Sequence, residues 1–165
     1  MPGLEDLYRE IILDHYRSPR NRGELAVPPA TKVEGFNPLC GDEVVLYLDV
    51  DEGSGTVRDL KIGGQGCSIS QASTSMMSAA VKDKPVPEAR RLIRAFKALM
   101  SIHESKLEGE GDGEDLRADL EGVRLGDLEA LQGVVKFPVR IKCATLAWNT
   151  LQQGLDEIEV GAAAE

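Results

Sequence analysis

The chain has 165 residues, a length typical of one domain, and its 42% apolar residues can build a core without disulfide staples. The formal net charge of −9 argues against a nucleic-acid binder, because such proteins usually carry a basic face. No apolar run reaches the roughly 18 residues that span a membrane, and no apolar signal core follows a basic start. We therefore expect one cytoplasmic domain over residues 1–165, without nucleic-acid or membrane partners.

The first part of the chain predicts one helix followed by a small sheet. Residues 4–16 carry apolar side chains at helical spacing. Apolar stretches at 44–50 and 56–62 predict two strands joined by a hairpin loop, and residues 32–36 are a candidate third strand. His15 lies on the apolar stripe of the first helix, which favours a packed or partner-facing residue over a metal ligand.

The second part of the chain predicts three helices. Small residues over 68–80 indicate a tightly packed helix, and Pro85-Val86-Pro87 opens another with an apolar face. The last helix is predicted from about Val139 to Ile158. No heptad pattern or long unbroken apolar face demands a second subunit, so we expect a monomer.

Residues 104–126 form an acidic, glycine-rich stretch before the last helix. We interpret it as a mobile, solvated insertion rather than as a functional acidic site. Its GEGDGED run lacks the ordered ligand spacing of a calcium-binding EF-hand loop. We expect the insertion to be dispensable for metal binding, and neighbouring His103 is not needed as a ligand.

Three cysteines cannot complete an intramolecular disulfide framework, and a cytosolic chain disfavours disulfides in any case. They are therefore inert core thiols, metal ligands or nucleophiles. Cys143 lies more than a quarter turn from the centre of the last helix's apolar stripe, where a core thiol is expected to sit. Arg140, Lys142 and the helix start favour its thiolate, which indicates a chemical role.

Cys67 ends the glycine-rich run Gly63–Cys67, between a predicted strand and a predicted helix. Glycines there leave room beside the sulfur, and the amide end of the helix favours an anionic thiolate. Ser68 or Ser70 is the expected helix cap. The alternative is a tight turn with an incidental cysteine.

Cys40 and Asp42 lie in the turn that precedes the strand at 44–50. Residues two apart in an extended segment project to the same side, so a thiolate and a carboxylate can face one point. Alone this pattern is weak. Together with Cys67 and Cys143 it makes the four-ligand set that tetrahedral zinc accepts, although the cysteine spacing matches no zinc ribbon or finger.

At these residues the sequence resembles the IscU/SufU family of iron–sulfur scaffold and sulfurtransferase proteins. Lys142 occupies the position before the third cysteine where true IscU scaffolds carry a histidine, and the acidic insertion resembles an extra segment of the SufU branch. The matching stretches run from the first predicted helix to the last: Asp14-His15-Tyr16, Pro19–Gly23, Asn37–Asp42, Gly64–Ser70, Ala72-Ser73, Met76-Met77 and Arg140–Trp148.

The resemblance implies an α+β fold, with a small three-stranded antiparallel sheet packed with helices. It also implies a zinc protein that receives persulfide sulfur from a cysteine desulfurase of the SufS type and supplies downstream cluster-assembly proteins. We expect Cys40 to be the catalytic thiol. It lies on a turn, where releasing its thiolate from the metal disturbs little packed structure. Asp42, Cys67 and Cys143 would then hold the zinc.

Two other hypotheses use the same residues. In one, the chain is a scaffold on which an iron–sulfur cluster is built and transferred to apo-proteins, with the cluster in place of zinc. In the other, zinc only stabilises the fold of a non-catalytic binding module.

Overall fold

The computed structural model describes residues 4–27, 30–38, 41–51, 53–108, 128, 130–131 and 138–164. Within them lie four α-helices and one sheet, which confirms the expected α+β class. In chain order the elements are α1 (Leu4–Arg17), β1 (Thr31–Asn37), β2 (Asp42–Asp51), β3 (Thr56–Gln65), α2 (Ser68–Val81), α3 (Val86–Glu108) and α4 (Pro138–Ala164).

The sheet is an antiparallel meander in the order β1-β2-β3, with the three predicted strands slightly longer than expected. The first hairpin closes at the pair Asn37 and Asp42, and the second closes at Asp51 and Thr56. Side chains alternate between the two faces, because neighbouring residues of a strand point in opposite directions. The alternation places Asp42 on the buried face of β2, at the end of the sheet where β3 also ends.

Helix α4 packs on the buried face of the sheet at close range. A Cβ atom built on Gly154 of the helix would lie 2.6 Å from Leu48 Cδ1 and 2.7 Å from Val33 Cγ2. On the strand side, a Cβ atom on Gly35 would collide with the side chain of Thr150. The helix therefore approaches the strands more closely than larger side chains would allow, and this brings its N-terminal turns to the end of the sheet.

Helices α2 and α3 cover the other sides of α4. The Trp148 ring stacks on Phe96 with ring centroids 4.7 Å apart. Trp148 Nε1 donates to Ser73 Oγ at 3.2 Å, and Ser73 Oγ donates to the carbonyl oxygen of Ala144 at 2.5 Å. Buried Trp and Ser groups are thus satisfied within the core, as buried polar groups must be. This pair of hydrogen bonds fixes α2 against the first half of α4.

Helix α1 packs on α2, and His15 is part of that contact. Its side chain is buried, and Nδ1 lies 2.8 Å from Ser75 Oγ. The backbone N–H of Arg20 donates to the same hydroxyl at 2.8 Å. His15 is therefore a packed residue, which agrees with the interpretation from its place on the apolar stripe.

Helix α3 continues to Glu108, so the first residues of the segment predicted as an insertion at 104–126 are helical. Residues 109–127 lie outside the described part of the chain, and the mobility of that segment stays a prediction. None of the helices in the described ranges combines the length and the apolar character that a membrane span needs.

Candidate metal centre

Three of the four predicted ligands meet at one end of the sheet. Asp42 begins β2, Cys67 caps the start of α2, and Cys143 lies in the second turn of α4. A carboxylate oxygen of Asp42 and the two sulfur atoms all lie within 4.8 Å of one another. Cys40, the fourth predicted ligand, lies outside the described residues. The fold thus supplies the convergence that the cysteine spacing alone did not predict.

The Asp42 side chain is completely buried. Its Oδ1 atom accepts a hydrogen bond of 2.9 Å from the backbone N–H of Cys67, and Oδ2 lies 3.9 Å from Cys67 Sγ. A buried carboxylate is unfavourable unless hydrogen bonds or a cation compensate its charge. The backbone N–H compensates it in part, and a metal ion between Asp42 and the two sulfurs would complete the compensation.

Gly66 makes room for this carboxylate. A Cβ atom built on Gly66 would collide with Asp42 Oδ1 and would lie 2.7 Å from Ser70 Oγ. A Cβ at Gly63, earlier in the same glycine-rich run, would meet only Val45 Cβ at 3.7 Å, an ordinary contact distance. The absence of a side chain at Gly66 is therefore needed for the position of Asp42.

Cys67 itself is the N-cap of α2, which corrects the expectation that Ser68 or Ser70 fills this role. Its Sγ accepts from the backbone N–H of Ser70 at 3.4 Å. The Ser70 hydroxyl instead donates back to the Cys67 carbonyl oxygen at 3.1 Å. A thiolate suits this position, because helix N-termini present N–H donors and a partial positive charge. The Cys67 side chain is nevertheless exposed, so it remains accessible from solution.

Cys143 belongs to the hydrophobic core, with 2% of its surface exposed. The expectation that it lies off the buried stripe of the last helix is therefore wrong. Helix α4 packs against the sheet on one side and against α2 and α3 on the others, so its buried face is wider than a single stripe. The inference of a chemical role nevertheless agrees with its place among the candidate ligands.

Asn37 is a neighbour of the site that the sequence analysis did not single out. It is buried at the end of β1, and its Nδ2 lies 3.9 Å from Cys143 Sγ. Its carbonyl oxygen accepts from the N–H of Gly41 at 2.9 Å, and the φ angle of Gly41 is +69°, a conformation that favours glycine. The sequence offered one signal for Asn37. It is a polar residue at an inward-facing strand position, three residues before the candidate ligand Cys40.

The donor set fits zinc. Two thiolates and a carboxylate are ligands that zinc accepts in tetrahedral sites, and three protein ligands leave one further position. Cys40, two residues before Asp42, is the predicted occupant of that position. His15 contacts Ser75 in the α1–α2 interface and is not part of the group, while the side chain of His103 lies outside the described residues.

A family model described as the NifU-like N terminal domain matches residues 7–143. The chain is 42% identical over 158 residues to the zinc-dependent sulfurtransferase SufU of Bacillus subtilis, and this match covers 96% of this chain and 95% of that protein. It is 37% identical over 152 residues to the iron–sulfur cluster assembly scaffold protein IscU of Streptococcus pyogenes, covering 92% of this chain and 84% of that one.

Solved structures give the same assignment. One is a putative iron–sulfur cluster assembly scaffold protein for the SUF system from Fervidobacterium islandicum, with a TM-score of 0.68 and 33% identity. That match covers 91% of this chain and 97% of the solved one. The predicted family, the observed sheet with its helices and the converging ligands agree, and the chain belongs to the family of NifU-like N-terminal domains, together with SufU and IscU proteins.

Proposed function

We propose that the chain is a zinc-dependent sulfurtransferase that accepts persulfide sulfur from a cysteine desulfurase during iron–sulfur cluster assembly. The observation that carries the proposal is the convergence of Asp42, Cys67 and Cys143 within 4.8 Å. The proposal is also supported by 42% identity, over nearly the whole chain, to a protein named for this activity.

Asp42, Cys67 and Cys143 would hold the metal from the ends of three different elements, with Cys40 as the fourth ligand. When bound, zinc would keep the thiolates deprotonated at neutral pH without taking part in redox chemistry. Cys40 is close enough in the chain to reach the same point, because two peptide units keep its Cα within about 7 Å of the Cα of Asp42.

The transfer chemistry needs a free thiolate on this chain. A metal-bound thiolate is a poor nucleophile, so Cys40 would first have to leave the metal, with a ligand from the desulfurase in its place. The Cys40 thiolate attacks the terminal sulfur of the partner's persulfide, and a new S–S bond forms on Cys40. The S–S bond of the partner breaks, and its electron pair stays on the partner's cysteine as a thiolate. One thiolate and one persulfide are present before and after the step, so no oxidant or reductant is consumed.

The surroundings of the other two thiols favour Cys40 as the acceptor. Cys143 is buried in the core and is not accessible to a partner. Cys67 is exposed and is the competing candidate, but its sulfur accepts the Ser70 N–H that caps α2. Moving that sulfur would leave a helix end without its cap, whereas Cys40 stands in the connection between β1 and β2.

A SufS-type cysteine desulfurase is the proposed sulfur donor, and cluster-assembly proteins are the proposed acceptors. The basic residues Arg17, Arg20 and Arg22, close to α1, are the proposed docking surface, and the alternative is a solvated turn without a partner. Arg20 Nη2 lies 2.6 Å from Asp14 Oδ2, so its charge is partly neutralised, and this contact lowers the pKa of Asp14. Arg22 Nη2 donates to the Gly64 carbonyl oxygen at 3.3 Å, which places a positive charge close to the strand end that leads to Cys67.

The organisation of the whole chain is part of the proposal. We propose a cytoplasmic monomer with one domain over residues 1–165, in which the acidic segment at about 104–126 takes no part in metal binding. Deleting residues 109–121 should leave the zinc content unchanged, as measured by metal analysis. A loss of zinc would show that this segment contributes to the site.

The scaffold is the second candidate function, because the chain is also 37% identical to a protein named as a cluster assembly scaffold. Lys142 next to Cys143 disfavours it, since the resemblance places a histidine there in true scaffolds. Metal analysis of protein purified without oxygen separates the two functions. We expect zinc without acid-labile sulfide, and iron with sulfide would favour the scaffold.

Stimulation of desulfurase turnover tests the proposal against a purely structural zinc. We expect the zinc-loaded chain to increase sulfide or alanine production by a SufS-type desulfurase, and Cys40→Ala to abolish the increase. A zinc-loaded chain without any effect on turnover would leave only the structural role of the metal.

A further inference from the structure

Asn37 occupies a position that links two parts of the candidate site. It is the last residue of β1, it pairs with Asp42 across the first hairpin, and 7% of its surface is exposed. Its side-chain amide lies 3.9 Å from Cys143 Sγ, while its carbonyl oxygen accepts the N–H of Gly41 at 2.9 Å. One residue therefore contacts a candidate ligand on α4 and accepts a backbone hydrogen bond from the residue that precedes β2.

A primary amide is not required at this position for packing alone. Asn37 follows Val33 on the face of β1 that packs on α4, where Val33 is apolar and buried. Burying an amide is unfavourable unless it forms hydrogen bonds, and an aliphatic side chain of similar size would fill the volume without that cost. A negatively charged sulfur beside the amide would favour a polar side chain at this position.

The hydrogen-bond donors at the three described ligands differ in kind. Asp42 accepts from the backbone N–H of Cys67, and Cys67 accepts from the backbone N–H of Ser70. Those two donors are set by the course of the main chain. At Cys143 one donor is a side chain, that of Asn37, so a substitution can remove this donor without moving the backbone.

We propose that Asn37 is a positioning residue for the metal centre, which directs an amide N–H at the Cys143 thiolate. This inference rests on the proposed function, in that it takes Cys143 as a metal ligand. The N–H withdraws charge from the sulfur and restricts its orientation. Partners of this kind commonly change metal affinity about 10–100-fold when they are removed.

The test compares Asn37→Ala and Asn37→Asp with the wild type in the absence of any desulfurase. Zinc affinity is measured by competition with a chromogenic chelator, and the sulfur-to-cobalt charge-transfer band is recorded after loading with cobalt(II). We expect Asn37→Ala to bind zinc about 10-fold more weakly or worse, with a shifted band. Asn37→Asp should lose more, because its carboxylate places a second negative charge beside the thiolate without donating an N–H.

Asn149→Ala is the matched control, because Asn149 is an exposed asparagine on the same helix as Cys143, and it should bind zinc like the wild type. Unchanged zinc affinity and an unchanged cobalt band in Asn37→Ala would overturn the inference, even if the melting temperature falls. If Asn37→Ala does not fold, Asn37→Leu fills the volume without a donor and is judged by the same outcomes. Wild-type affinity in Cys143→Ala would refute the proposed ligand set itself.

Discussion

The backbone N–H of Cys67 donates a 2.9 Å hydrogen bond to Oδ1 of the buried Asp42, across 25 residues of chain. Two of the predicted ligands thus fix each other's positions without a metal. The bond uses one oxygen of the carboxylate and leaves the other directed towards Cys67 Sγ, 3.9 Å away. Fold stability and metal binding therefore depend on the same side chain, but through different atoms.

Substitutions of Asp42 can separate these two roles. Asp42→Asn keeps an oxygen acceptor for the Cys67 N–H but removes the charge, so we expect much weaker zinc binding with a small change in apo-protein stability. Asp42→Ala also leaves the partly buried N–H of Cys67 without this acceptor, which should lower the unfolding free energy by about 1 kcal/mol. Urea denaturation in the presence of a chelator, together with zinc titration, measures both effects. Equal zinc affinity in wild type and Asp42→Asn would exclude Asp42 as a ligand.

Gly66→Ala should weaken the site without touching a ligand. Its Cβ would collide with Asp42 Oδ1 and approach Ser70 Oγ to 2.7 Å, so the carboxylate must shift from the position it has beside the sulfurs. We expect lower zinc affinity and a lower melting temperature in the metal-loaded form. Gly63→Ala is the matched control, because its Cβ would meet Val45 at an ordinary 3.7 Å. If both variants bind zinc equally well, the packing of Gly66 against Asp42 does not limit the site.

Ser73→Ala tests the contact that holds α4 in place. The substitution removes the acceptor of Trp148 Nε1 and the donor to the Ala144 carbonyl, both buried. We expect a loss of about 1–3 kcal/mol in unfolding free energy and a change in the fluorescence of Trp148, the chain's single tryptophan. Ser54→Ala, at an exposed hairpin turn, should show neither effect. Unaltered stability and fluorescence in Ser73→Ala would mean that these hydrogen bonds contribute little.

The sequence predicted the elements well wherever a pattern was regular. The strand at 44–50 and the helix at 68–80 appear almost as expected, because a β-branched apolar run and a run of small residues are local signals. Cys143 was expected outside the buried stripe but is buried, because the width of a buried helix face depends on how many elements surround the helix. That number is set by tertiary packing and cannot be read from the helix alone.

The candidate site was predicted as a set of residues but not as a geometry. The cap by Cys67 and the contact between Asn37 and Cys143 both depend on atoms that are distant in sequence. Serine has a higher N-cap propensity than cysteine, and propensities carry no information about the N–H groups that surround a sulfur. The ligand set followed from the types of these residues and from the family resemblance, because the cysteine spacing matches no zinc ribbon or finger.

Mapping of persulfide sulfur after incubation with a cysteine desulfurase and free cysteine is the most direct test of the central claim. Trypsin separates the three thiols, because Arg58 lies between Cys40 and Cys67 and Lys142 directly precedes Cys143. We predict one added sulfur on the Cys40 peptide of the zinc-loaded protein, and its loss in Cys40→Ala, which should keep part of its zinc through the other three ligands. An added sulfur on Cys67 instead would move the acceptor within the same site. No persulfide on any of the three peptides would contradict the sulfurtransferase function.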